Sequence, residues 1–186
     1  MELLLGIFSA FGLSASAGLN AYIPLFMIAV IARYTDWFHL SAPFDALINP
    51  WVLLLLGVLI IVEFLADKIP AVNHINDILQ TFIRPTAGAI AFAASARVLT
   101  DVSPALSLAL GLLIAGSVHT VKAAAVRPAV TATTGGLGNI PVSILEDVIA
   151  TVTSFLAMVI PVIIAALAVI CLLLLTRWLL QRSATP

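Results

Sequence analysis

Apolar residues in this chain form long runs, which are separated by short polar stretches and by prolines. Uncharged apolar runs of about 20 residues are typical of helices that cross a membrane. The runs predict segments at residues 3–31, 51–66, 86–99, 104–125 and 148–180. The predicted fold is therefore all-α: one polytopic transmembrane domain over residues 1–186, with about five spans.

Two stretches interrupt these runs with small and polar residues. Residues 18–24 read Gly-Leu-Asn-Ala-Tyr-Ile-Pro, and residues 136–141 read Gly-Leu-Gly-Asn-Ile-Pro. Paired interruptions in the two halves of a membrane protein are a good sequence indicator of a transport site. We predict that residues 14–24 and 131–141 are both helix-broken or re-entrant, and that they approach each other. The glycines and threonines of residues 131–147 predict an irregular loop, which binds an ion or, alternatively, is a plain connection.

Residues 70–84 separate their apolar and polar side chains onto two helical faces. The polar face consists of Asn73, Asn76, Asp77, Gln80 and Arg84. This pattern predicts a short amphipathic helix in the membrane interface. Surface helices of this kind usually carry more Lys and Arg, so the alternative is that the polar face lines a cavity.

Composition excludes several classes of protein. Hydrophobic residues make up 62% of the chain and charged residues only 9%, and the mean hydropathy is +1.20. Soluble enzymes, disordered chains, coiled coils and nucleic-acid-binding modules all carry far more charge. The single cysteine, Cys171, excludes an intramolecular disulfide and a thiolate metal cluster. No cofactor is predicted.

Two acidic residues interrupt the second apolar segment. Glu63 and Asp67 are four positions apart and share a helical face. Glu63 lies ~18 Å along a helix that begins at Trp51. Two carboxylates held close together at this depth need a cation, a proton or each other. Lys68 is the nearest cation in sequence. The two interpretations are an internal ion pair and an ion or proton site, and we predict that Glu63 matters more for function than for folding.

Basic residues cluster at the end of the fourth segment. His119 and Lys122 share a helical face, and Arg127 follows them. Lys122 either reaches the headgroups or takes part in a site. Arg84 and Arg127 each precede a proline and fall on one side of a five-span bundle, so the acidic and basic clusters are predicted to face one vestibule. The full set of candidate substrate- or ion-binding residues is Asn20, Glu63, Asp67, Lys68, Asp77, Arg84, His119, Lys122, Arg127, Asn139, Glu146 and Asp147.

Four motifs together resemble one known family. They are Glu63-x-x-x-Asp67-Lys68-x-Pro70, Arg84-Pro85-x-x-Gly88, His119-x-x-Lys122 and Thr134-Gly-Gly-x-x-Asn139. This set is similar to a bacterial family of small multi-span membrane proteins that is catalogued as domain of unknown function 4126. The resemblance implies a membrane protein with a recurring polar set, and it supplies no activity.

The residues favour a transporter or channel that moves a small solute or ion through a polar intramembrane site. One alternative is an intramembrane enzyme that acts on a lipid phosphate, and another is a non-catalytic membrane scaffold. A phosphate-bearing solute or lipid headgroup would suit the basic residues, whereas a metal cation or protons would suit the carboxylates. The expected partners are the lipid bilayer and such a solute, ion or headgroup, without nucleic acid. The expected location is the bacterial inner membrane.

Small residues recur every fourth position in two segments. Ala87, Ala91 and Ser95 form one such face, and Gly111 and Ala115 form another. Faces of this kind allow membrane helices to approach closely. We predict a homo-oligomer, most simply a dimer, that packs through one of these faces.

Overall fold

The computed structural model describes residues 2–36, 39–67, 70–97 and 103–159, together with residues 170, 171, 174 and 177. Within these ranges the chain forms helices and turns without a strand, which confirms the all-α prediction. The helices are α1 (Glu2–Leu19), α2 (Tyr22–Tyr34), α3 (Pro50–Ala66), α4 (Pro70–Arg97), α5 (Pro104–Val121), α6 (Arg127–Thr134) and α7 (Asn139–Val159). A 3-10 helix, Phe44–Ile48, precedes α3, and a π-helical turn, Lys122–Val126, joins α5 to α6.

Helix α1 lies at the centre and packs against α4, α5 and α7. Its buried face carries small side chains, which allow three helices to approach it closely. The hydroxyl of Ser14 donates to the carbonyl of Gly111 at 2.8 Å, and the hydroxyl of Ser16 donates to the carbonyl of Ala150 at the same distance. The serines of α1 thus bond directly to the backbones of α5 and α7.

Helices α4 and α5 meet almost backbone to backbone. A Cβ atom added to Gly111 would lie 2.6 Å from the Cβ of Phe92 and 2.7 Å from the Cα of Ala89. The small-residue faces of α4 and α5 are buried inside the chain by this packing. The predicted dimer surface is therefore wrong, because α1, α4 and α5 already use these faces with one another. Association of two copies through another surface stays a prediction.

Gly111→Ala is expected to lower the free energy of unfolding by about 1–3 kcal/mol, the usual effect of overpacking. The added methyl group meets backbone and Cβ atoms of α4, which cannot rotate away. Gly116→Ala, on the same helix, is the matched control, because its new Cβ would lie 3.8 Å from the nearest atom, on Pro85. Thermal unfolding in mild detergent compares the two variants, and equal melting temperatures would contradict the backbone-to-backbone packing.

Helix α4 differs from its prediction. It runs unbroken from Pro70 to Arg97 with Pro85 inside it, so the separate interfacial helix over residues 70–84 is wrong. Its polar face points inward, since Gln80 and Arg84 are buried, while Phe82 on the opposite face is 75% exposed. The alternative, that this face lines a cavity, stays a prediction, since the structure shows that Gln80 and Arg84 are buried in the protein. Packing of the second half of α4 against α1 and α5 holds the helix together across the proline.

The loop predicted over residues 131–147 is also wrong. Helix α6 continues to Thr134, and α7 begins at Asn139, which leaves only residues 135–138 as a turn. Gly135 and Gly136 have φ angles of 62° and 92°, a conformation that glycine adopts readily and that ends α6. Pro141 falls in the first turn of α7, where its missing N–H is not needed. Of the fifth predicted segment, the part from residue 160 to 180 lies outside the described residues, apart from four single positions.

The exterior of the described helices is largely apolar. Large exposed side chains line the outer faces of α3, α5 and α7, including Leu54, Ile61, Leu113 and Val152. Two continuous helical stretches, Pro104–Thr134 and Asn139–Val159, are long and apolar enough to cross a membrane. Contiguous apolar surface of this extent is not usual for a soluble monomer, and it marks a surface that contacts lipid or another protein.

Candidate functional site

A set of charged side chains lies buried where α3, α4, α6 and α7 converge on the end of α1. Within the described part of the chain, three basic and three acidic side chains form this set, which we term the ion-pair network. Its members are Arg84, Lys122, Arg127, Glu63, Asp67 and Glu146. None is more than 8% exposed. Burial at this level demands that each charge be compensated, and the formal charges of the network sum to zero.

Glu63 pairs with Arg84. An Nη atom of Arg84 donates to Oε1 of Glu63 at 2.9 Å, and both side chains are almost completely buried. The other carboxylate oxygen, Oε2, has no hydrogen-bond partner among the described residues. Lys68, the partner suggested by closeness in sequence, lies outside the described residues. The continuity of α4 through Pro85 places Arg84 opposite α3, which sequence spacing alone did not indicate.

His119 extends this pair on the other side of Arg84. Nη1 of Arg84 lies 3.4 Å from Nδ1 of His119, and Nε2 of His119 lies 3.2 Å from the hydroxyl oxygen of Thr81. A guanidinium group can only donate hydrogen bonds, so Nδ1 must accept. The remaining proton of a neutral imidazole then sits on Nε2 and points at Thr81. This hydrogen-bond pattern favours a neutral His119 with its proton on Nε2.

Asp67, directly after α3, gathers three donors. Its Oδ2 accepts from Arg127 at 3.2 Å and from the hydroxyl of Ser143 at 2.8 Å, while its Oδ1 accepts from the amide of Asn76 at 2.9 Å. These partners belong to α6, α7 and α4 respectively. One carboxylate thus joins four helices through hydrogen bonds, and two of its donors carry no charge.

Lys122 and Glu146 form a further close ion pair. Their side chains meet at 2.7 Å, and Glu146 also lies 3.5 Å from Arg127. The ammonium group of Lys122 donates in addition to the backbone carbonyl of Leu19 at 3.1 Å. That carbonyl is one of the groups left without a helical partner where α1 ends. Lys122 therefore bonds to an otherwise unpaired backbone carbonyl as well as to the carboxylate of Glu146.

The π-helical turn explains why two basic residues five positions apart face the same site. In a regular α-helix, five residues at ~100° each would place Lys122 and Arg127 on clearly different faces. Here the backbone N–H of Arg127 bonds to the carbonyl of Lys122, the i→i+5 pattern of a π turn. The wider turn brings both side chains to the carboxylates. Such turns occur frequently at functional sites.

Asn20 occupies the break between α1 and α2. Its side-chain oxygen accepts from the backbone N–H groups of Tyr22 and Ile23, both at 3.1 Å, and so caps α2. Its amide donates to Asp147 on α7 at 2.9 Å. Residues 14–24 and 131–141 are thus both interrupted helices, but the contact from Asn20 reaches α7 beyond the second stretch. Asn139 instead donates to Thr131 within its own segment.

The chain matches the family model of a domain of unknown function, DUF4126, over residues 7–182. It belongs to that family. No curated protein and no solved structure matches the chain. Membership in the DUF4126 family confirms the resemblance carried by the sequence motifs, and it leaves the function to be argued from the site itself.

This member of the DUF4126 family brings together most of the residues that the sequence singled out. Those that meet in or beside the network are Asn20, Glu63, Asp67, Arg84, His119, Lys122, Arg127, Glu146 and Asp147. The side-chain amide of Asn139 bonds to Thr131 instead. The side chain of Asp77 and the whole of Lys68 lie outside the described residues. Ser143 and Thr81 were missed. Ser143 could have been found, because it shares the buried face of α7 with Glu146, three positions later.

Asn20→Ala is expected to destabilise the protein through the loss of two interactions, and a control variant separates their contributions. Loss of the cap on α2 should lower the free energy of unfolding by about 1 kcal/mol, and loss of the charge-assisted bond to Asp147 by about 1.5–3 kcal/mol more. Asn49→Ala is the matched control, since Asn49 caps α3 by accepting from Trp51 at an exposed position. Equal losses of thermal stability for the two variants would show that the bond to Asp147 contributes nothing.

Proposed function

We propose that this protein is a polytopic integral membrane protein and that it transports protons, alone or together with a small solute, through the ion-pair network. The membrane part of the proposal is supported by the polarity of the described helices, which is inverted relative to a soluble protein. Their outer faces are apolar, while the buried interior holds the charged residues. Helices that bury charges and expose leucine, isoleucine and valine suit a hydrocarbon solvent.

The observation that carries the transport proposal is the row formed by Glu63, Arg84 and His119. Arg84 is shared between a carboxylate and the acceptor nitrogen of a neutral imidazole. A proton that binds Glu63 removes the charge that attracts Arg84, and a proton that binds Nδ1 of His119 removes the acceptor. Protons and Arg84 therefore compete for the same atoms, so a proton on either group weakens the hold of that group on the guanidinium.

The helix break provides the means for movement. At Asn20 the backbone bonds of α1 and α2 are interrupted, and side chains of the site, Lys122 and Asn20, take over the freed groups. A change of charge in the network is thus linked directly to the backbone at the break. Interrupted helices next to buried charges are typical of the central sites of secondary transporters.

The network gives less support to an enzyme that acts on a lipid phosphate. Each of the three basic side chains already contacts a carboxylate at 3.5 Å or less. A phosphate would have to displace these carboxylates, which would then be left without compensation in a buried site. A proton needs no such displacement, since it adds to a carboxylate or to the imidazole.

The proposal is tested by proton flux into liposomes that contain the purified protein. A potassium diffusion potential drives protons inward, and a trapped pH-sensitive dye reports their arrival. Glu63→Gln keeps an oxygen that accepts from Arg84 but cannot release a proton, so flux is expected to fall at least about tenfold. Asp45→Asn, a change at an exposed carboxylate beside α3, should leave flux unchanged.

Thermal unfolding of both variants is measured in parallel. A Glu63→Gln variant that remains folded and conducts protons like the parent would overturn the proposed route. Absence of flux in the parent protein would overturn the proton-linked part of the proposal altogether.

A non-catalytic scaffold is the second candidate, and one observation favours it. The close pairing of all six charges is also what a purely structural network would show. In that case Glu63→Gln would alter stability and leave a proton flux that does not differ from that of empty liposomes. The same two measurements therefore separate the scaffold from the transporter.

A further inference from the structure

Three buried polar atoms of α3 and α4 have no hydrogen-bond partner among the described residues. They are Oε2 of Glu63, Nε of Arg84 and the side-chain oxygen Oε1 of Gln80. None of the three side chains is more than 2% exposed. Folded proteins pair nearly all buried polar atoms with protein groups or with bound water, so each of these atoms calls for a partner.

The three atoms belong to neighbouring groups. Oε2 shares its carbon with the Oε1 atom of Glu63 that accepts from Arg84 at 2.9 Å, and Nε shares its carbon with the donating Nη atom. Gln80 precedes Arg84 by four positions on α4, so the two side chains leave the helix on one face. One small molecule between α3 and α4 can therefore reach all three atoms.

Gln80 is also held by α2. Its side chain hydrogen-bonds to the hydroxyl of Tyr22, the first residue of α2, and Glu63 and Arg84 lie close enough for their charges to act on that hydroxyl. Because Oε1 is the unpartnered atom of Gln80, the amide nitrogen is the group that bonds to Tyr22. This contact orients the amide and leaves Oε1 available as an acceptor.

The three atoms define the chemistry of an occupant. The carboxylate and amide oxygens accept hydrogen bonds, and Nε of an arginine only donates, so the occupant must donate two bonds and accept one. It must also be neutral, because Glu63 and Arg84 already compensate each other's charge in a buried site. Water has this set of donors and acceptors, and buried waters typically make about three hydrogen bonds to the protein.

We propose that one water molecule binds between Glu63, Gln80 and Arg84 and delivers the proton to Oε2 of Glu63. The inference rests on the proposed function and makes Gln80 a positioning residue of the proton route. An arriving proton binds to the oxygen of the water, and a different hydrogen of the same molecule moves to Oε2. One O–H bond forms at the water and one breaks, so the carboxylate becomes a carboxyl group and the water is regenerated.

The water is detected by difference infrared spectroscopy of the full-length protein in phosphatidylcholine nanodiscs. Spectra at high and low pH are compared in ordinary water and in water labelled with heavy oxygen. When Glu63 takes up a proton, the O–H stretching band of the bound water should change, and heavy oxygen should shift that band. Glu63→Gln should lose both this change and the C=O band of the protonated carboxyl group. A C=O band of Glu63 without an isotope-sensitive water band would overturn the inference.

Two variants test the role of Gln80. Gln80→Leu keeps a similar side-chain volume and removes the acceptor, so the water band should disappear and proton flux into liposomes should fall at least about tenfold. Tyr22→Phe removes only the hydroxyl that bonds to Gln80, and it should keep the band and most of the flux. Ser107→Ala is the matched control, because Ser107 is buried near the start of α5 and its hydroxyl oxygen also has no partner among the described residues.

Thermal unfolding of these variants is measured in parallel, and the infrared test of the parent protein depends on none of them. A folded Gln80→Leu variant with the flux of the parent would contradict the inference. An equal loss of flux in Gln80→Leu and Tyr22→Phe would show that Gln80 acts through Tyr22, which would contradict it as well.

Failure of this inference can be told apart from failure of the proposed function. Proton flux that depends on Glu63, without a water band that responds to it, would remove the inference and leave the proton route. A parent protein that moves no protons would overturn the proposed function. In that case the inference would fail in its claim that the water delivers protons, even if the band were present.

Discussion

Replacing Arg84 with methionine is expected to lower the free energy of unfolding by about 3–5 kcal/mol, as when one partner of a buried ion pair is removed. Glu63 would keep its charge in a site from which water is excluded, and its only described cationic contact would be gone. His119 would lose the donor that faces its Nδ1 atom as well. The measurement is equilibrium unfolding in detergent, followed by circular dichroism.

A second substitution shows whether the loss comes from the stranded charge. In the double variant Arg84→Met with Glu63→Leu, both charges are absent, and most of the lost stability should return, since apolar residues of similar volume replace buried pairs well. Arg33→Met is the control, because Arg33 is exposed and its described contacts, with the backbone carbonyl of Ile48 and the ring of Tyr34, include no carboxylate. A double variant no more stable than Arg84→Met alone would mean that Arg84 acts through other contacts.

Glu146→Leu is expected to be more damaging than Lys122→Met, although the two residues form one ion pair at 2.7 Å. Without Glu146 the network holds three cations and two carboxylates, and both Lys122 and Arg127 lose a partner. We expect a loss of about 3–5 kcal/mol in the free energy of unfolding. Without Lys122, Arg127 still lies 3.5 Å from Glu146 and can compensate it, so the expected loss is about 1–3 kcal/mol.

This difference is read from unfolding curves of the two single variants and the double variant. Glu146→Leu with Lys122→Met should be more stable than Glu146→Leu alone, because the formal charges balance again. The opposite order of the single variants would indicate that Arg127 does not interact with Glu146. It would also indicate that the bond from Lys122 to the carbonyl of Leu19 dominates.

Apolar runs in the sequence were sufficient to predict α3, α5 and the burial of several charges. Helix α3 falls almost where its run predicted it, because Asn49 and Pro50 begin the helix by local rules: a cap and a proline in the first turn. The depth of Glu63 follows from that starting point and from the rise of the helix. The start of α3 and the position of Glu63 along it depend only on neighbouring residues, so both can be predicted from the sequence.

Pairing within the network could not be predicted in this way. Closeness along the chain makes Lys68 the predicted partner of Glu63, whereas the described contact comes from Arg84, 21 positions away. That contact depends on α4 passing straight through Pro85, and packing rather than local propensity maintains it. Arg127 reaches Asp67 only because of the π turn, which no pattern with a period of 3.6 residues predicts.

The predicted oligomer surface was wrong for a related reason. Small residues such as Ala87, Ala91 and Gly111 indicate that helices approach closely, but they do not indicate which helix approaches. Helix α1 carries small side chains on its buried face, and the small-residue faces of α4 and α5 pack against α1 and against each other within one chain. Sequence spacing identifies a close contact, and only the topology decides whether it lies within one molecule or between two.

The arrangement of the ion pairs bears on how such a chain could enter a bilayer during synthesis. Glu63 and Arg84 belong to consecutive helices, as do Lys122 and Glu146 if the α5–α6 stretch is taken as one unit. If the protein spans a bilayer as proposed, each hairpin would carry its own neutralised pair and would enter the bilayer without an unbalanced charge of that pair. Asp67 is different, since Arg127 follows it 60 positions later. Asp67 can pair with Arg127 only after the second hairpin has been synthesised, so this ion pair would form only when both hairpins have come together.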